Sequence, residues 1–166
     1  MSNSTDQMDS PNAIFFDNLS DIPLPFVGFL LNKAAQEVTQ QVDANLRPFG
    51  IRIKHYSILL FLSMIDVPLP QKTIGEQLLI DRNTMVSLID DLEAQALVIR
   101  TRDPNDRRYY AIHITDKGRD LLEKVSNIVG EANAKFVEAL NHEEHEQLLK
   151  LLMKLLRHKL TFTVKG

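Results

Sequence analysis

Cysteine is absent from all 166 residues. That excludes disulfides, thiolate metal sites and any cysteine-based redox switch. Also missing is any apolar run of about eighteen residues, so no membrane span is expected. The opening stretch lacks a basic start followed by an apolar core, so a secretory leader is not expected either, and cytoplasm is the expected location. There is no phosphate-cradling glycine loop, no nucleophile elbow and no zinc motif. An enzyme is therefore not expected, and nothing calls for a cofactor or a metal. Positive charge is in short supply overall, with a formal net charge of −3. Charge placement matters more than the sum. Between Ile99 and Ile112 stand Arg100, Arg102, Arg107 and Arg108 against only Asp103 and Asp106, while acid gathers in the N-terminal tail and at Glu143, Glu144 and Glu146.

What remains is ordinary globular composition, 44% hydrophobic and 25% charged, sufficient for one domain with a core or a small domain with dimerisation arms. The chain is organised around residues 70–119. Pro70 can open a short helix, since the first helical turn leaves its missing donor unneeded. Ile74, Leu78 and Leu79 fit one face of it. Asp81 reads as the N-cap of a second helix, in which Met85, Leu88, Ile89 and Leu92 recur at the spacing of a single buried stripe. The opposite face offers Arg82, Asn83, Thr84, Ser87, Asp90 and Asp91. Two short helices about a tight turn describe a helix-turn-helix. Two short strands then bracket the charged segment Asp103-Pro104-Asn105-Asp106-Arg107-Arg108, forming a β-hairpin with a long loop.

Asn83-Thr84, Leu88-Ile89-Asp90, Leu92-Glu93, Leu97-Val98, Arg100, the loop 103–108 and Ile114-Thr115-Asp116-Lys117-Gly118 together give the chain its resemblance to the MarR family of bacterial transcriptional regulators. The resemblance spans roughly Leu24 to Leu156. It implies a mainly α fold with a small β-wing, N- and C-terminal helices that intertwine into a homodimer, and double-stranded DNA as partner. The pattern also departs from the family: Val86-Ser87 stands where many members carry Thr-Arg, Asp91 where a base is frequent, and Ala96 where glycine is common. The second helix is thus less basic than usual, which shifts affinity onto the wing.

Around this centre, residues 1–21 read as a loose polar tail. A helix follows over about 25–46, ended by Pro48-Phe49-Gly50. A very apolar helix covers 53–64, and Val67-Pro68-Leu69-Pro70 forms a stiff connection. Thr115 can cap a long helix carrying Leu121, Leu122, Val125, Ile128, Val129, Ala132, Phe136 and Leu140. Asn141 and Glu144 have the form of a capping box, opening a last helix with leucines at 148, 149, 151, 152, 155 and 156. That helix is more apolar than one small domain needs, and a two-fold partner would supply its missing surface. The expected organisation is dimerisation helices over 22–50 and 115–166, with a winged helix-turn-helix over 51–114.

Arg82, Asn83, Thr84 and Ser87 are expected to reach base edges in the major groove, where arginine pairs with guanine and asparagine with adenine. A plain solvated helix face is the alternative. In the wing, Asp106 would orient Arg108 toward the narrow minor groove, and Arg107 would meet phosphate. Arg100 and Arg102 extend the basic set. The competing reading of these residues is a surface hairpin with an ordinary ion pair, worth little; the competing function is a winged-helix module whose wing meets another protein instead of DNA. Steep salt dependence of duplex binding separates the two. Arg52, Lys54, His55 and Tyr56 open the second helix, where the resemblance places an effector cleft, and a cation beside a ring suits a small anionic aromatic ligand. His142 and His145 are spaced to share a metal, but no third ligand converges on them.

Overall fold

The computed structural model describes residues 27–65, 67–102 and 110–163. It divides into two units at Ala35/Gln36. The described part of the first is the opening of helix α1 (Val27–Leu46), and the second carries the rest of α1 and every later element. A 3-10 turn, Arg47–Phe49, ends α1, and Gly50 takes a left-handed φ of 71° to return its amide to the Arg47 carbonyl at 3.0 Å. Helix α2 (Ile53–Met64), strand β1 (Leu69–Pro70), α3 (Gln71–Leu78), α4 (Arg82–Ala94), β2 (Val98–Arg102), β3 (Tyr110–Ile114), α5 (Asp116–Phe136) and α6 (His142–Thr163) complete the order. This is the expected mainly helical winged fold. The tail over 1–21 and the wing tip fall outside the described residues.

One core joins helices α1 to α5 with the sheet. Val42 and Leu46 of α1, Ile58, Leu59 and Leu62 of α2, Ile74 of α3, Met85, Leu88, Ile89 and Leu92 of α4, Val98 and Ile112 of the sheet, and Leu122, Val125 and Val129 of α5 form one buried cluster. Helix α2 packs on α3, α4, α5 and β3, so its near-continuous apolar sequence is explained by neighbours on several sides. The sheet is antiparallel in the order β1-β3-β2, with Leu69 opposite Ile112 and Val98 opposite Ile114. The third strand was not expected; β1 occupies part of what reads as a stiff connection. Two residues are too short to display alternation, and Pro70, lacking an amide hydrogen, suits an edge.

The side-chain caps are where the sequence places them. Asp81 accepts from the amides of Asn83 and Thr84 at 3.1 and 3.0 Å. Thr115 accepts from Gly118 at 3.0 Å. Asn141 and Glu144 exchange reciprocal bonds of 2.9 and 3.1 Å. Two details differ. Helix α5 ends at Phe136, leaving Leu140 in the turn that leads to the Asn141 cap. Leu79, expected on the buried face of α3, lies beyond its end, 78% exposed and left-handed at φ 53°. There the Ile80 amide reaches the Gly75 carbonyl at 2.8 Å, the closing bond of a Schellman motif that stops the helix.

Candidate nucleic-acid interface

Helix α4 buries one stripe and frees the other. Met85, Leu88, Ile89 and Leu92 are nearly inaccessible, whereas Arg82, Asn83, Val86, Ser87, Asp90 and Asp91 are exposed. Thr84 is half-buried, its amide held by Asp81. Hydrogen bonding from Thr84, then Asn83, holds the Asp81 carboxyl below its usual range, so the cap stays charged beside the positive end of the helix. Of the four side chains expected to meet bases, Arg82, Asn83 and Ser87 share the open face, and Thr84 sits at its edge.

The basic set divides. Arg100 is turned in, with its side chain only 21% exposed and its guanidinium bridging Asp90 and Glu93 of α4. Its amide also donates to Glu93 at 3.3 Å. Arg100, expected among the DNA-facing residues, is thus tied through its guanidinium to α4 and fastens β2 to that helix. Nothing in the sequence assigned Asp90 and Glu93 that task, although their spacing of three along one helix put them within a single guanidinium's reach. Arg102 stacks over the ring of its cross-strand neighbour Tyr110, 5.2 Å from the centroid. Asp106, Arg107 and Arg108 lie outside the described residues.

The cluster that opens α2 divides: Arg52 and His55 both turn toward Asp91, while Lys54 and Tyr56 do not. Lys54 is exposed, Tyr56 packs against the core and His55 is buried. His55 Nδ1 accepts the Arg52 amide at 3.0 Å, which leaves its proton on Nε2. That nitrogen faces Asp91 Oδ2 at 3.4 Å, an electrostatic contact and not a formed hydrogen bond. Arg52 reaches the same oxygen at 3.9 Å. Asp43 of α1 caps α2 as well, accepting the Ile53 amide at 2.6 Å. A separate cleft lies at the opposite end of α2, lined by Leu62, Ile65, Val67, His113, Ile114 and Arg119. Among the described residues no group of three His, Cys, Asp or Glu side chains could hold a metal. His142 instead lies 3.5 Å from Glu146.

Burial is the main force lowering the His55 pKa below its ordinary 6.5, reinforced by Arg52 and partly opposed by Asp91. The folded chain therefore holds His55 neutral while the unfolded chain takes up the proton first. Stability from this site is complete above pH 6.5 and declines as pH falls through that value toward the folded pKa. Denaturant unfolding between pH 7.5 and 5 is expected to lose stability faster in the natural chain than in His55→Gln, which keeps an acceptor for the Arg52 amide. The slope difference has a ceiling of about 1.4 kcal/mol per pH unit for one proton. Parallel pH profiles would contradict it.

Comparison with known proteins agrees with this architecture. A MarR-family model matches residues 49–108, from the turn after α1 through the wing segment. The chain is also 37% identical over 124 residues to the uncharacterised HTH-type transcriptional regulator YkoM of Bacillus subtilis, covering 74% of this chain and 79% of that one. The chain belongs to the MarR family of transcriptional regulators. Among solved MarR-type structures, the S. aureus MepR–DNA complex is similar at 29% identity and TM-score 0.69, covering 80% of this chain and 97% of MepR. CouR from Rhodococcus jostii RHA1, bound to p-coumaroyl-CoA, is similar at 30% identity and TM-score 0.68, covering 78% of this chain and 90% of CouR.

Set against the MarR pattern, the alanine in place of glycine at position 96 has a visible consequence. Ala96 is left-handed, with φ 57°. Its amide bonds the Glu93 carbonyl at 2.8 Å, and the Leu97 amide bonds that of Leu92 at 2.9 Å. This second Schellman motif turns the chain from α4 into the wing, and a side chain in that conformation is strained. Ala96→Gly is therefore expected to stabilise the protein by roughly 0.5–1 kcal/mol, the strain relief slightly exceeding the added freedom of the unfolded chain. A thermal melt that moves down instead of up would refute it. No helix among the described residues is long and apolar enough to cross a membrane.

Proposed function

We propose that this MarR-family regulator acts in the cytoplasm as a homodimer, reading pseudo-palindromic promoter DNA and repressing by occupancy. The observation that carries the reading is the open polar face of α4. A helix capped by Asp81 presents Arg82, Asn83 and Ser87 outward, while its other face is fixed in the core. Such a helix fits the major groove, where its first turns meet base edges. The Arg100 bridge holds the base of the wing at a set angle to that helix, so the hairpin can follow the adjoining backbone. Arg100 is a positioning residue here; Arg102, Arg107 and Arg108 supply the positive charge. The DNA-bound relative MepR supports the same use of the fold.

Two dimensions of one titration test this. Duplex affinity is expected to fall steeply with salt, as phosphate contacts require. At fixed salt, Arg108→Ala is expected to lose roughly 1–3 kcal/mol, the scale of a specific groove contact. Arg107→Ala should lose less and reduce the salt slope by about one. Salt-independent binding would transfer the wing to a protein partner. Equal losses from the two arginines would remove the Asp106–Arg108 groove assignment.

A small anionic aromatic effector fits the same scheme, and CouR, with its bound p-coumaroyl-CoA, supports a ligand-responsive reading. The exposed Arg52–Asp91 pair is weak at 3.9 Å and readily displaced. An anion drawn to Arg52 would compete with Asp91, a residue of α4, and so couple ligand to the DNA-reading helix.

A further inference from the structure

Val86 is the one large apolar side chain on the exposed face of α4. On the exposed face of α4 its companions are Arg82, Asn83, Ser87, Asp90 and Asp91, with only the small Ala94 among them; Val86 itself is 40% exposed. It contributes nothing to the buried cluster, which takes Met85, Leu88, Ile89 and Leu92 from this helix. Helix propensity does not favour it either, because a β-branched side chain loses rotamer freedom against the preceding turn. Its neighbours along the helix face are Arg82 one turn before and Asp90 one turn after. Asp90 is engaged by Arg100.

We propose that Val86 reads the C5-methyl group of a thymine in each half-site. The inference rests on the DNA-reading role of α4 proposed above and names what one of its side chains recognises. Base edges in the major groove display donors and acceptors at guanine, cytosine and adenine, and only thymine adds an apolar group. Valine has neither a donor nor an acceptor to answer the polar edges. Pressed against one of them, it would strip water from groups it cannot satisfy. Against a thymine methyl it buries apolar surface on both sides. Its stiffness then helps: a helical valine holds a single dominant rotamer, so its methyls stand in one place before DNA arrives. The valine thus favours one base and disfavours the other three.

The test removes that methyl and nothing else. A duplex is first selected from random sequence with the full-length natural chain. Each dT in the bound site is then replaced by dU, which keeps base pairing intact. Affinities are compared at fixed salt for the natural chain and Val86→Ala, an exposed substitution whose thermal melt verifies folding. At one symmetric position the natural chain is expected to bind about fourfold more weakly per half-site, the value of one buried carbon. Substituting both half-sites together should give about sixteenfold, since separated sites add. Val86→Ala should bind the dT and dU duplexes alike. If the natural chain tolerates every dU, or Val86→Ala remains equally sensitive, the inference is overturned while DNA binding stands. If no duplex is selected, the DNA-reading proposal falls and this one with it.

Discussion

Gly118→Ala is expected to destabilise the protein by about 3 kcal/mol or more, the upper range for overpacking a close contact. Gly118 lies in the first turn of α5, where the helix start is clamped to the end of α4. The Thr115 amide donates to the Leu97 carbonyl at 3.1 Å, and its hydroxyl lies 2.8 Å from the Ala96 carbonyl oxygen. Lys117 Nζ donates to the Gln95 carbonyl at 2.8 Å. A Cβ on residue 118 would collide with the Leu97 carbonyl oxygen and stand 2.8 Å from Ile114 Cγ1. The first obstacle is backbone and the second a β-branched side chain packed against the core, so neither yields cheaply. Gly130, later in the same helix, meets nothing within 4 Å. Gly130→Ala is expected to stabilise by up to about 1 kcal/mol through helix propensity. Urea unfolding of both variants decides the matter, and a Gly118→Ala chain within about 0.5 kcal/mol of the natural one, the range of ordinary surface changes, would show that the clamp gives way.

The Gly118 contact also marks what could be read in advance. Wherever a side chain carries the local instruction, the sequence was sufficient: Asp81, Thr115 and Asn141 each cap the helix they precede. The buried stripe of α4 and the limits of α2 were legible from apolar spacing alone. Leu79 was not, and Ala96 was noticed only as a departure from the family's glycine. The left-handed residue that ends a helix is usually glycine or asparagine, and a leucine there carries no stop signal, so Leu79 was assigned to a face it does not share. The partners of Arg100 were not legible for a different reason. The charge of Arg100 is visible in the sequence, but α4 lying across β2, with Asp90 and Glu93 turned to meet it, is a tertiary fact. The residues opening α2 do not all share one face. Successive helical positions point about 100° apart, so Lys54, His55 and Tyr56 are adjacent in sequence and divergent in space. Val86 was noticed only as a departure from the family pattern; its exposure on the α4 face is what gives it a role.

Replacing Leu149 and Leu156 with glutamate is expected to convert the proposed dimer to monomers and weaken operator binding at least about a hundredfold. Leu149, Leu151, Met153, Leu155 and Leu156 of α6 are each about half exposed, between 48% and 56%. With Leu148 and Leu152 they span an arc of roughly 200° at 100° per residue. One core-facing contact needs a stripe of only about 100°. Nor does the buried core absorb the helix, since among the described residues it holds none beyond Ala132. An apolar surface of this breadth calls for a second chain, and a two-fold partner offers the same surface in return. Glutamates at 149 and 156, two turns apart on one side, would bury charge in that contact. The core from Val42 to Ala132 is untouched by these changes, so unfolding should remain cooperative while light scattering reports the monomer mass. Each separated subunit then grips a single half-site, and the gain of about 10²–10⁴ from linked binding disappears. Removing residues 143–166 should act in the same direction, with aggregation as its other outcome if the exposed ends of the remaining helices meet. A double variant that stays dimeric and holds its operator affinity would place the subunit contact elsewhere and leave the apolar arc of α6 for another partner.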